Sequence, residues 1–328
     1  MSSAAQPSSL ATTLDFAIPA PPSTLLAPAA YARARAVMAR LPASMARCLY
    51  LECRLAPGPA SDRVDVTVGI AAAESDLLRP ADVGPDPVWN RLTAFARLWR
   101  QPGSGWRQRI TRLWLEFDIG AEAAPGVFGE LSEGEDPRAW REYPPALARC
   151  DELLPLGAQV RYIGLFPTRG TSATRLCITG LANGAIASYL ASIGWPGSTA
   201  ALNRELDALR GAHSSGVGIV DIDVETTGEI GPVVGLEYLC QRDSQTRHVF
   251  AETPFVDVLV ARGLCTAERR RALGDFPRSR YAVMPHELWE SVLHQRVNHI
   301  KVTFEHDAPR EAKAYLAVEH RPRRRRSI

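Results

Sequence analysis

The segment His299-Ile-Lys-Val-Thr-Phe-Glu305 runs through His306-Asp-Ala-Pro-Arg310 into Glu311-Ala-Lys-Ala-Tyr-Leu-Ala-Val-Glu-His320. Apolar residues recur at every second position: Ile300, Val302 and Phe304 on the first arm, Ala314, Leu316 and Val318 on the second. A two-residue period belongs to a β-strand with one buried face, and the turn-forming run between the arms makes the pair a hairpin. The opposite parity carries Lys301, Thr303 and Glu305 on one arm, Lys313 and Tyr315 on the other. Apolar and polar faces of one strand cannot be exchanged without a register slip.

Four earlier pairs share this pattern: residues 48–55 with 63–70, 112–119 with 126–131, 160–166 with 174–181, and 217–225 with 232–240. Helical spacing marks 29–41, 87–100, 143–154, 185–209 (broken near 194–197), 254–273 (broken near Gly263) and 285–296. A helix–strand–strand unit repeated five times predicts an α+β fold, a ten-stranded antiparallel β-barrel of five β-hairpins surrounded by a ring of helices. Ten strands enclose more space than the side chains of an eight-stranded barrel fill, so the polar faces line a cavity. The alternative is two separate α+β domains divided near 211–216.

Composition narrows the class. The 328 residues are 46% hydrophobic and 23% charged, which excludes collagen-like and wholly disordered chains. The net charge of +2 conceals a split, because removing the five arginines of the terminal stretch 321–328 turns it into −3. The basic excess therefore belongs to a tail, read as a disordered end, and predicts no nucleic-acid partner. Residues 1–28 are rich in Ala, Ser and Pro, have no positive charge before Arg33, and read as a disordered lead-in rather than a signal peptide. No apolar run reaches a membrane-spanning length, and the six cysteines form no CxxC pair, so a cytoplasmic protein without structural zinc is expected. The domain reading is thus 1–28 lead-in, 29–320 one barrel, 321–328 basic tail. Neither GxGxxG, GxxxxGK[ST], HExxH nor GxSxG occurs in its required setting.

Of 38 basic residues only Lys301 and Lys313 are lysine, and both fall on one face of the last hairpin. Lysine offers three rotatable donors on a compact charge, suited to phosphate. A pair of lysines snorkelling from a solvent face is the plain alternative. The other strands place Arg112, Trp114, Glu116 and Asp118, then Arg175, then Asp221, Asp223 and Glu225, and Tyr50, Glu52, Arg54 and Asp65 on the polar parity.

This arrangement resembles the ABBA-type aromatic prenyltransferases, whose PT-barrel is built of five α-β-β-α repeats; the resemblance is one of architecture, from about residue 29 to 320. It implies a soluble enzyme of secondary metabolism that moves an allylic prenyl group from a diphosphate to an aromatic or heteroatom acceptor. The diphosphate would lie on Lys301, Lys313, Tyr315 and Arg175. Glu116, with Asp118 beside it, would orient the acceptor and take its proton. Trp114 and Tyr50 would shield the allyl cation, with Tyr238 a further aromatic on the outward parity. The partners implied are a prenyl diphosphate and a small-molecule or peptide acceptor.

The polar faces carry at least six carboxylates, Glu52, Asp65, Glu116, Asp118, Asp221 and Asp223, which would repel a diphosphate unless a cation intervenes. Asp221-x-Asp223 is the candidate for Mg²⁺, a hard cation suited to carboxylate and phosphate oxygens. The same acidity fits a cationic acceptor, a different tailoring enzyme such as a cyclase or peptide-modifying enzyme, or a ligand- or peptide-binding protein on this barrel. His299 and His306 flank the last hairpin's first strand and read as surface or turn residues.

Overall fold

The structure is a computed structural model, which describes residues 9–45, 48–58, 62–72, 87–119, 125–139, 144–166, 173–213, 215–240, 253–284 and 290–322. The strands are β1 (Cys48–Arg54), β2 (Val64–Ala71), β3 (Ile110–Phe117), β4 (Gly126–Leu131), β5 (Gln159–Leu165), β6 (Thr174–Thr179), β7 (Ile219–Val224), β8 (Ile230–Leu239), β9 (Arg278–Val283), β10 (Glu290–Glu305) and β11 (Ala308–Pro322). Every pairing is antiparallel, and β11 pairs with both β10 and β1. Ten strands, all except β9, thereby close into one barrel with helices around it. β6 pairs with β7 across the 211–216 region, so the two-domain alternative does not hold.

Helices α1 (Leu10–Ala17), α2 (Pro28–Met38), α3 (Pro87–Arg100), α4 (Gly105–Arg109), α5 (Pro145–Glu152), α6 (Asn183–Ser192), α7 (Thr199–Arg210), α8 (Thr253–Ala261) and α9 (Ala267–Asp275) complete the described fold. The apolar strand faces are buried: Leu49 and Leu51, Leu113 and Leu115, Val220 and Ile222, and Ile300, Val302 and Phe304 all join one core. Burying such side chains stabilises by roughly 1.5–3 kcal/mol each, which sets the register of every strand. None of the described helices is long and apolar enough to cross a membrane.

Three expectations need correction. Residues 290–296 are not helical but form the first half of β10, which extends past the barrel and takes β9 on its edge. The apolar signal there is broken because two buried positions are polar: Ser291 meets His320 Nε2 at 2.9 Å, and Gln295 donates to the Ala17 carbonyl. Residues 285–289 lie outside the described residues. The lead-in is also structured from Ser9 onward, since Leu10 and Leu14 of α1 are fully buried in the barrel's core. Its Ala- and Pro-rich composition hid a short apolar helix. At the other end β11 runs through Arg321, whose guanidinium meets Glu319 at 2.7 Å, while 323–328 lie outside the described residues.

Candidate functional site

The polar parity of the strands faces a lumen with two connected chambers. One, of about 450 Å³, is lined by charged groups, including Glu52, Arg54, Asp65, Asp118, Asp223 and Lys313. The other, of about 480 Å³, carries the rings of Tyr50, Trp114, Phe128, Tyr162 and His299 among polar and charged groups such as Glu133, Arg161 and Glu237. Glu116, Arg175, Asp221, Lys301 and Tyr315 border both. The expected site residues thus meet around one cavity, although they come from six strands and the stretch just beyond β3.

Cross-strand register explains the placement. Lys301 lies opposite Glu237 on one side and Lys313 on the other, and Lys313 opposite Arg54. Like charges so placed repel, and carboxylates reaching across the lumen offset this. Lys301 pairs with Asp221, and its Nζ is 3.7 Å from Glu237 Oε1. Lys313 Nζ lies 3.0 Å from Glu52 and 3.3 Å from Glu311. Arg175 forms a two-pronged pair with Asp223, both contacts 2.8 Å, and Arg54 reaches Asp65 at 3.2 Å. Gly235 makes the first pair possible: a Cβ there would stand 2.5 Å from Lys301 Cε and 2.8 Å from Asp221 Oδ2.

The electrostatics follow from these contacts. Burial opposes the charge of Glu52, but Lys313 and Arg54 outweigh it and hold the carboxyl below its ordinary range. Lys301 is likewise buried, yet Asp221 and Glu237 raise its pKa. Glu237 itself is pushed up to about 8 by burial and by the charge of Asp221, so it carries a proton at neutral pH. His299 is driven down to about 3 by burial and by Lys301, and is a neutral imidazole. Asp65 is raised by burial and by Glu52.

The ring wall is continuous. Tyr50 stacks on Trp114 with centroids 5.2 Å apart, His299 meets Tyr50 edge-on at 6.4 Å, and His299 stacks on Tyr315 at 4.0 Å. Trp114 Nε1 donates to Glu130 at 3.0 Å, whose other oxygen takes Arg161 at 2.8 Å. Gly69 and Gly164 sit opposite Trp114 and Phe128, where a Cβ would come within 2.7 and 2.5 Å of the rings. Tyr238, by contrast, is outside the lumen, packed on Phe255 at 4.5 Å.

One reading of the site changes. Asp221 is engaged by Lys301 and Asp223 by Arg175. No group of three or more His, Cys, Asp or Glu among the described residues is placed to hold a metal ion. His299 is not a surface residue; it is buried in the lumen wall two positions before Lys301, on the same parity. That parity was the signal that could have found it, together with Glu237 on the facing strand. Asp118 lines only the charged chamber, beside Arg63 at 4.0 Å, whereas Glu116 borders both.

No known family profile and no curated protein matches the chain. Among solved structures it is similar to the crystal structure of AnaPT from Neosartorya fischeri. The similarity covers 83% of this chain and 77% of that one, with 12% identity and a TM-score of 0.47.

Proposed function

We propose that the chain is a prenyltransferase that moves an allylic group from a diphosphate to an aromatic or heteroatom acceptor inside the barrel. One observation carries the reading: five basic side chains, Arg54, Arg63, Arg175, Lys301 and Lys313, line a single chamber that adjoins, through shared lining residues, one carrying the rings of Tyr50, Trp114 and Tyr162. A prenyl diphosphate matches that polarity end to end. Its phosphate oxygens would exchange with the carboxylates now held by Lys313 and Arg54, and its hydrocarbon chain would lie against Trp114 and Tyr50.

In the step proposed, the allylic C–O bond breaks and its electron pair leaves with the diphosphate, where the cations offset the developing charge. Ring faces in a space shielded from water protect the allyl cation. The acceptor ring or heteroatom attacks the cation, and the displaced proton passes to Glu116 at the junction of the chambers. The reading is tested by incubating the protein with dimethylallyl, geranyl and farnesyl diphosphate and with aromatic amino acids, phenols and peptides, scoring products by mass. Product formation that collapses in the Lys301→Ala/Lys313→Ala double variant is expected; unchanged turnover there would sink the clamp assignment.

A second reading, a ligand-binding protein or different tailoring enzyme on the same barrel, draws on the fact that each of these cations has a carboxylate within 4.0 Å. Calorimetry with inorganic pyrophosphate separates the two, because only the first requires anion affinity.

A further inference from the structure

Nine carboxylates and six basic side chains line the two chambers among the described residues. Each of the six bases has an acidic partner, Arg161 on Glu130 included. The unbalanced charge of the lumen is therefore negative. Unmet hydrogen-bonding capacity points the same way. Asp221 Oδ1 is buried and has no hydrogen-bond partner, in a residue 2% exposed that borders both chambers.

Glu237 stands next to it. One of its oxygens is 3.7 Å from Lys301 Nζ, and the other is 3.6 Å from His299 Nε2. Asn298 Nδ2 lies 2.8 Å from His299 Nδ1, and an amide nitrogen only donates, so Nδ1 is the acceptor and Nε2 carries the hydrogen toward Glu237. At 3.6 Å the imidazole is too far to hydrogen-bond Glu237, and as a neutral ring it adds no positive charge to the wall. Tyr50 and Trp114 line the same chamber, and aromatic rings attract cations.

We propose that the lumen holds the positively charged head of the acceptor, an ammonium or guanidinium group, between Asp221 and Glu237, with the ring wall beside it. As an assignment of acceptor class it rests on the prenyl-transfer reading, but the binding itself does not require a prenyl donor. Glu237 is the residue best suited to test it. Because it carries a proton at neutral pH, it can be replaced by the uncharged isostere glutamine with the fold left intact.

The test titrates the full chain calorimetrically with phenethylamine and with 2-phenylethanol, which share the ring and differ in the charge. The amine is expected to bind about tenfold tighter or better, and Glu237→Gln to erase that preference while leaving the alcohol unchanged. Asp221→Asn serves as a second variant and should weaken the amine in the same way. Equal affinity for both probes, no saturable binding of the amine at millimolar concentration, or an unaltered preference in Glu237→Gln would each overturn the proposal. Transfer from an allylic diphosphate without preference for amine-bearing acceptors would remove this inference and leave the prenyl-transfer reading standing. Amine-selective binding with no turnover of any allylic diphosphate would do the reverse.

Discussion

Lys301 and Lys313 face each other directly across β10 and β11, and each is held by a carboxylate from another strand, Asp221 of β7 two strands away and Glu52 of the adjacent β1. The chain's only two lysines are thus the centre of a charge network that the barrel closes around. Such a network stabilises only while it is complete, because an isolated buried charge is far costlier than a paired one.

Removing one member should expose that cost. Lys301→Met leaves Asp221 as an uncompensated buried carboxylate and should destabilise the fold by about 3–5 kcal/mol. Adding Asp221→Asn should restore much of the loss. Chemical denaturation of the two single variants and the double variant measures the coupling; strictly additive effects would contradict the pairing.

Gly235 should tolerate no side chain. Its Cβ would collide with Lys301 and Asp221, so Gly235→Ala should cost about 1–3 kcal/mol by displacing that pair. At Gly231, four positions earlier on the same strand, a Cβ would meet Asp223 only at 3.4 Å, and Gly231→Ala should be far milder. Comparable losses at both positions would show that the Lys301 contact is not the cause.

Stability should depend on pH through Glu237. Its folded pKa of about 8 lies above the ordinary value of 4.5, so the folded state binds the proton more tightly than the unfolded one. The stabilisation is therefore fully present below the unfolded pKa and is lost as pH rises through the folded value. His299 acts with the opposite sign: its folded pKa of about 3 means that stability is lost as pH falls from 6.5 toward that value. Glu237→Gln should flatten the alkaline decline between about pH 5 and 9 in urea titrations, and an unchanged slope would refute the assignment.

Helix α1 should be a working part of the core. Leu14 is fully buried in the same cluster as the barrel strands, so Leu14→Ala should cost about 2–5 kcal/mol. Thermal unfolding with little change in midpoint would mean that this segment is only loosely attached.

If the lumen transfers prenyl groups, its ring wall should govern how much of the cation is lost to water. Trp114→Leu keeps an apolar residue but removes the ring face, and should raise the ratio of prenyl alcohol to prenylated product. Chromatography of both products gives the ratio directly, and an unchanged value would free Trp114 of that role.

Much of this was legible in the residues. Ile300, Val302 and Phe304 alternate with Lys301, Thr303 and Glu305, and the burial of the first set and the lumen placement of the second follow from a two-residue pleat. Helix α3 occupies the span its periodicity predicts. The first half of β10 was not legible, because Ser291 and Gln295 fill core-facing positions where an apolar residue would have shown the period. Their partners, His320 and the Ala17 carbonyl, are remote in sequence.

The sequence by itself determined the five hairpins, the closed architecture they imply and which face of each strand would be polar, since periodicity is a local property of a few neighbouring residues. Only the tertiary structure decided how the charges are spent: Lys301 finds Asp221 from 80 positions away, Arg175 finds Asp223 from 48, and the pair Asp221 and Asp223 becomes two cation partners. Adjacent residues of like charge on one strand look alike to any local reading. Closure sorts them, because it fixes which opposite charge each can reach in a space where leaving one unpaired costs more than the fold can supply.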